Sequence, residues 1–293
     1  MRTTQQCSAH STPPDIFMTT VWRAPLDSDT RCPGNFFLGQ NLSELGSDMK
    51  IVVIGGSGLI GSKLVGLLTA AGHEAVPASP RTGVDTVTGE GLADVLASTN
   101  VVVDVTNPPS FDTVLEFFRA STANLLAAGR AAGVAHHLVL SVVGAERVPD
   151  SSYLPAKVAQ EELVAAGGVP YTILRATQFF EFAAGIADVS TAGDGTVVLP
   201  PALVQPVAGD DVAAVLADLV TDAPVNGTVE LGGPESLPLA DWVRRSLAAT
   251  GDPRTVVSDP AATYFGAKVD DDALRPGAGA RTGTIRLTEW LSG

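Results

Sequence analysis

Lys50-Ile51-Val52-Val53-Ile54-Gly55-Gly56-Ser57-Gly58-Leu59-Ile60-Gly61 decides how this chain folds. A run of β-branched residues ends in a cluster of glycines. Beyond it, Leu59, Ile60, Leu64, Val65, Leu67 and Leu68 recur at helical period. The order predicts a strand, a tight turn and a helix. The turn needs glycine because the backbone must bend sharply and admit a large anion with no Cβ in the way. The helix head turns unpaired N–H groups and the positive end of its dipole toward that anion. Gly55, Gly58 and Gly61 are spaced three apart, and Gly56-x-Gly58-x-x-Gly61 satisfies the tighter dinucleotide fingerprint. The expected contacts of a dinucleotide pyrophosphate are therefore Gly55, Ser57, Gly58, Leu59, Ile60 and Gly61.

The 293 residues suffice for one large domain or two modest ones. Hydrophobic residues make up 45%, enough for a large core, while charged residues are 17% and the net charge is −14. An acidic chain without a basic cluster argues against nucleic acid and against an anionic membrane surface as partners. No apolar run approaches the ~18–20 residues that span a bilayer. The two cysteines, Cys7 and Cys32, both precede the glycine turn. The body of the chain thus carries no disulfide framework and no thiolate metal site, and no metal is expected. This cysteine usage fits a reducing cytoplasm. A small-molecule substrate is the expected partner, and a homodimer is compatible with the sequence.

Residues 1–48 are rich in Thr, Ser, Pro, Asp and Asn and lack periodicity. They predict a disordered N-terminal extension rather than a targeting peptide. Met49 stands directly before the first strand, which motivates the hypothesis that the natural product starts there; a native intact mass that includes residues 1–48 would rule this out.

From Lys50 the pattern alternates. Strands are expected at 50–54, 74–78, 100–105, 137–143 and 171–174, and helices at 58–71, 89–98, 111–132 and 153–166. The long helix carries Phe111, Val114, Leu115, Phe118, Leu125 and Leu126 as its apolar stripe. Such alternation predicts an α/β, Rossmann-like parallel sheet with helices on both faces. Beyond about residue 177 the alternation becomes irregular and prolines punctuate it. A small C-terminal substrate lobe is expected over roughly 177–293, completing an NAD(P)-binding domain at 49–293.

Ligands of such sheets bind at the carboxyl ends of the strands, so the residues after each strand matter most. After the second strand comes Ser79-Pro80-Arg81, with no acid for a ribose diol. A guanidinium there suits a ribose 2′-phosphate, which favours NADP(H). Thr106, in Thr106-Asn107-Pro108-Pro109, is expected beside the cofactor ribose. Ser141 ends the next strand, followed by Tyr153 and Lys157, an i, i+4 pair on one helix face. Pro155 lies between them and is tolerated only in a first helical turn. A phenol is a slow proton donor at neutral pH; a neighbouring ammonium favours its ionised form and lowers its pKa. Tyr153, Lys157 and Ser141 are the catalytic candidates, with Lys157 also a ribose contact. Gln178 and Phe179 follow the fifth strand as candidate substrate contacts. His136 and His137 are adjacent, would face opposite sides of a strand and are expected to be structural. Asp210 and Asp211 are expected to cap a helix.

The glycine turn, Ser141-Val142-Val143-Gly144, Tyr153-x-x-x-Lys157 and Leu174-Arg175-Ala176-Thr177-Gln178-Phe179-Phe180 together resemble the NmrA-like branch of the atypical short-chain dehydrogenase/reductases. Pro206-Val207-Ala208-Gly209-Asp210-Asp211-Val212-Ala213 and Leu231-Gly232-Gly233-Pro234-Glu235 match it too. The resemblance covers about residues 49–250. It implies a Rossmann core, NADP(H) as cofactor, and either a reductase or a redox sensor. The leading expectation is an NADPH-dependent oxidoreductase that passes hydride to a small carbonyl, enone or quinone. The alternatives are a non-catalytic dinucleotide-sensing regulator and an epimerase or lyase that holds hydride transiently.

Overall fold

A computed structural model describes residues 48–293 except Pro109, Phe111 and Ser152. The expectations for the N-terminal extension, for Phe111 and for Pro109 lie outside the described residues.

The first half alternates as its pattern predicts: β1 (Lys50–Ile54), α1 (Leu59–Ala70), β2 (Glu74–Ala78), α2 (Leu92–Val95), β3 (Val101–Asp104), α3 (Val114–Ala132), β4 (His136–Val142), α4 (Leu154–Ala166) and β5 (Tyr171–Ala176). Then follow α5 (Ala183–Val189), β6 (Val197–Leu199), β7 (Leu203–Val204), α6 (Gly209–Thr221), β8 (Gly227–Gly232) and β9 (Leu237–Pro238). The chain continues through α7 (Leu239–Thr250), β10 (Val256–Ser258), β11 (Arg281–Thr282) and α8 (Leu287–Trp290).

A seven-stranded sheet runs in the order β11-β8-β5-β4-β3-β1-β2, and every neighbouring pair in it is parallel. Its strands are near-continuous apolar runs because both faces are covered. On one face Ile51, Val53, Val103, Leu138 and Leu174 pack under Leu64 and Leu68 of α1 and Leu216 of α6. On the other, Val52, Ile54 and Val102 meet Leu92 of α2 and Leu125 of α3, while Val139 and Ile173 meet Val164 of α4. This is the expected α/β Rossmann-like architecture.

Chain order and sheet order part company at β1. The chain steps outward to β2 and then crosses β1 to lay down β3. The crevice between the carboxyl ends of β1 and β3 is the topological switch point, where open α/β sheets take their ligands.

The chain beyond residue 176 is used in two ways. β8 and β11 extend the sheet and α6 covers it, while residues of α5, α7, β6 and β10 gather around the fully buried Trp242. Among the described residues no helix is long and apolar enough to cross a membrane. His136 and His137 are both buried in β4, and His136 Nε2 lies 2.9 Å from Thr172 Oγ1 on β5. Burial, with His137 beside it, lowers the pKa of His136 to about 4, so the ring is neutral near pH 7. The expected capping by Asp210 and Asp211 is not what the structure contains. Ala208 is the N-cap of α6, and both aspartates lie inside the first turn. Asp210 instead pairs with Lys63 at 2.7 Å, and Asp211 takes the amides of Thr284 and Ile285, each at 3.0 Å.

Candidate active site

The head of α1 is an anion cradle made of backbone. Gly55 turns with φ +80°, donates its amide to Ala78 O at 2.9 Å and lies against the exit of β3. A Cβ there would stand 3.1 Å from the Val105 carbonyl and 3.2 Å from the Thr106 amide. At Gly61 a Cβ would stand 2.2 Å from Gly55 O, so only glycine lets the helix sit this close to the turn. Gly58 is the N-cap of α1 and supplies no side-chain cap. Among the described residues the amides of Ser57, Leu59, Ile60 and Gly61 bond to no protein acceptor. Ser57, Gly58 and Leu59 are exposed. Unmade N–H bonds, the dipole end and an open approach suit a pyrophosphate, so the residues present fit a dinucleotide.

Arg81 lies in the single turn Pro80–Thr82 after β2, exposed, and makes no ion pair among the described residues. Thr106 is turned inward: its amide and hydroxyl both donate to Asp104 Oδ1, at 2.9 and 2.7 Å. Ser141 stands near the end of β4, buried, and its Oγ has no hydrogen-bond partner among the described residues.

Tyr153 is the N-cap of α4 and Pro155 occupies the first turn, as a proline there requires. Ser151 Oγ accepts the amides of Tyr153 and Leu154 at 3.2 and 3.3 Å, closing the helix head. The Tyr153 hydroxyl donates to Asn107 Oδ1 at 2.9 Å. Asn107 follows Thr106, whose amide walls Gly55, so the phenol and the cradle border the same β3 exit loop. Lys157 sits one turn on, 3% exposed. Its Nζ donates to Leu140 O at 2.8 Å and to Gln160 Oε1, and lies 4.4 Å from the centre of the Phe118 ring.

The sequence predicts that Lys157 lowers the pKa of the Tyr153 phenol. The phenol moves the other way: burial pushes it above the usual tyrosine range, and the Asp104 carboxylate adds to the shift. The lysine itself is lowered to about 8 by burial, against the pull of Asp104 and Glu161.

Gln178 and Phe179 part company. Gln178 is buried, and its Oε1 has no hydrogen-bond partner among the described residues. Phe179 joins the core shared by α1 and α6 and stacks on the exposed Phe182, centroids 5.0 Å apart. Asp104, Phe118 and Gln160 belong to this site although no sequence motif marks them as site residues. Asp104 alone left a signal: a charge closing the run Val101-Val102-Val103.

A family model described as NAD(P)H-binding matches residues 55–223, more than half of the chain. No curated protein sequence matches it. Among solved structures, a dTDP-4-dehydrorhamnose reductase from Clostridium acetobutylicum superposes with a TM-score of 0.64 at 16% identity, over 83% of this chain and 98% of that one. An NADPH-dependent quinone oxidoreductase from Escherichia coli gives 0.56 at 17%, over 83% and 98%. The Citrobacter sp. triphenylmethane reductase complexed with NADP(H) gives 0.54 at 19%, over 73% and 80%. At these identities the likeness is one of fold. The glycine cradle at the switch point and the family match agree: the chain belongs to the NAD(P)H-binding family.

Proposed function

We propose that the protein is an NADPH-dependent oxidoreductase of the NmrA-like type, acting on a small organic carbonyl, enone or quinone in the cytoplasm. The observation that carries this reading is the Tyr153–Asn107 bond, which ties a phenol to the loop that walls the glycine cradle. A bound nicotinamide would supply the hydride. The chain's own residues supply the rest. The free amides of Ser57, Leu59, Ile60 and Gly61 hold the diphosphate, and Arg81 takes a 2′-phosphate. Tyr153 gives the proton that the reduced substrate needs, and its raised pKa keeps it protonated until then. Ser141 Oγ, buried and without a partner among the described residues, orients the substrate oxygen. Gln178, buried just past β5, bounds the substrate, while Phe179 packs into the core beneath α1 and α6.

Lys157 acts as a fixed positive charge beneath this centre. Its donors are turned to Leu140, Gln160 and Phe118, so a ribose contact requires it to release one of them. That inward arrangement also favours a second reading, a dinucleotide-sensing protein that turns nothing over. Tyr153→Phe separates the two. In an oxidoreductase, kcat for NADPH-driven quinone reduction falls about 10²–10⁴-fold while NADPH affinity holds. Unchanged turnover, or none in the wild-type protein across a panel of carbonyls and quinones, would defeat the catalytic reading.

A further inference from the structure

Beneath Tyr153, α4 meets the sheet through polar side chains. Lys157, Gln160 and Glu161 are all buried on the face turned to the sheet, and so is Asp104 at the end of β3. Gln160 Nε2 donates to Asp104 Oδ2 at 3.0 Å, and Gln160 Oε1 accepts from Lys157. The other Asp104 oxygen takes the amide and hydroxyl of Thr106. The next residue, Asn107, accepts the Tyr153 hydroxyl. The bonds leave α4 at Lys157, cross to β3 and return to the head of α4.

Among the described residues this is the hydrogen-bonded route from Lys157 to a carboxylate, although Glu161 also pulls on the ammonium through space. Glu161, next to Gln160 on α4, is held by Arg175 of β5, with Nε–Oε1 at 2.9 Å and Nη2–Oε2 at 2.6 Å. His137 of β4, beside Asp104, is pushed toward its neutral form by burial. A carboxamide fits the gap because it accepts from a cation at one end and donates to an anion at the other.

We propose that Gln160 is a positioning residue of the reaction centre, coupling the Lys157 ammonium through Asp104 to the loop that holds the Tyr153 hydroxyl. Its relevance to turnover rests on the oxidoreductase reading above; the coupling itself does not. The test uses the full chain labelled with [15N]lysine and [13Cζ]tyrosine. It has only four lysines (Lys50, Lys63, Lys157, Lys268) and three tyrosines (Tyr153, Tyr171, Tyr264), so the spectra are simple. Loss of a peak in Lys157→Met and in Tyr153→Phe assigns the two signals. In Gln160→Leu the Lys157 ammonium exchanges its protons at least tenfold faster, and the Tyr153 carbon shifts while those of Tyr171 and Tyr264 stay. With 1,4-naphthoquinone and NADPH, kcat falls at least tenfold, with KM and the NADPH Kd within twofold. Gln160→Glu keeps the lysine contact but not the bond to Asp104, so the ammonium stays protected while the Tyr153 carbon still moves. A Tyr153 signal unmoved in both variants, or in Gln160→Glu alone if the leucine variant does not fold, overturns the proposal. Should the wild-type protein reduce no quinone or carbonyl, the oxidoreductase reading falls, and the two spectra still decide the coupling.

Discussion

The heads of α1 and α4 lie on opposite faces of one sheet, and they are built in opposite ways. At α1 no described residue caps the helix: Gly58 offers no side chain, and the first amides bond to no acceptor among the described residues. At α4 Ser151 closes the head, and Tyr153, Lys157 and Gln160 are each held by a partner distant in sequence or on their own helix. One site is made by leaving groups out, and the other by engaging the side chains of its helix in bonds. The first binds because its donors are ready without rearrangement. The second positions because its donors are already spent.

The largest expected effect tests the first half of this contrast. In Gly61→Val the new Cβ would stand 2.2 Å from the Gly55 oxygen, with backbone on both sides of the clash. Neither side can yield as a flexible side chain would, so α1 must leave the turn. Stability should fall by about 3 kcal/mol or more, measured by urea unfolding, and NADPH binding should vanish by calorimetry. Tyr153→Phe removes the hydrogen bond to Asn107 from a half-buried group and should cost about 1 kcal/mol. If both variants lose equally little, the cradle does not depend on the missing Cβ and the contrast breaks.

The same contrast explains what the sequence made legible. Glycine spacing after a β-branched run is local, so Gly55, Gly58 and Gly61 announce the cradle, and the alternation of periods announces the sheet. The helix expected over 89–98 shrinks to Leu92–Val95 for a reason that periodicity does not carry. Gly89 and Gly91 adopt positive φ, and a Cβ on Gly91 would meet Gly83 O at 2.3 Å. Tyr153 and Lys157 were legible as a pair on one helix face, but their partners were not. Asn107 lies 46 residues from Tyr153, and Asp104 lies 56 from Gln160. Such bonds exist only once the sheet brings β3 beside α4. The Tyr153 phenol shifts upward chiefly because the fold buries it, with Asp104 adding to the shift, and neither the burial nor that neighbour can be read from chain order.

A second test bears on the filled site. Lys157 has a folded pKa near 8 against an unfolded value of 10.5. Below pH 8 both states hold the proton and the cost of burying the charge is present in full. Between pH 8 and 10.5 the unfolded chain holds the proton and the folded one does not, so stability rises with pH. Relative to Lys157→Met, the wild-type protein should gain up to about 3 kcal/mol across that window, read from urea midpoints at successive pH values. A difference that stays flat would mean that Gln160, Leu140 and Phe118 offset the burial of the ammonium completely.

The smallest effect sharpens the open site. The turn that carries Arg81 is fixed by Thr82, whose hydroxyl bonds both the amide and the carbonyl of Ser79 at 2.9 Å. The guanidinium therefore leaves a rigid base next to Ala78, the residue that accepts the Gly55 amide. A guanidinium with no ion pair among the described residues suits a 2′-phosphate there, whereas a ribose diol would call for an acid that this position lacks. Arg81→Ala should weaken NADPH about tenfold and leave NADH within about twofold, because one charge-assisted contact is lost while the amide cradle is untouched. The loss is modest because the group works in water, and added salt should shrink it further. Equal weakening of both cofactors would place Arg81 on the shared diphosphate instead. The cradle would then be a site of donated charge as well as of withheld side chains.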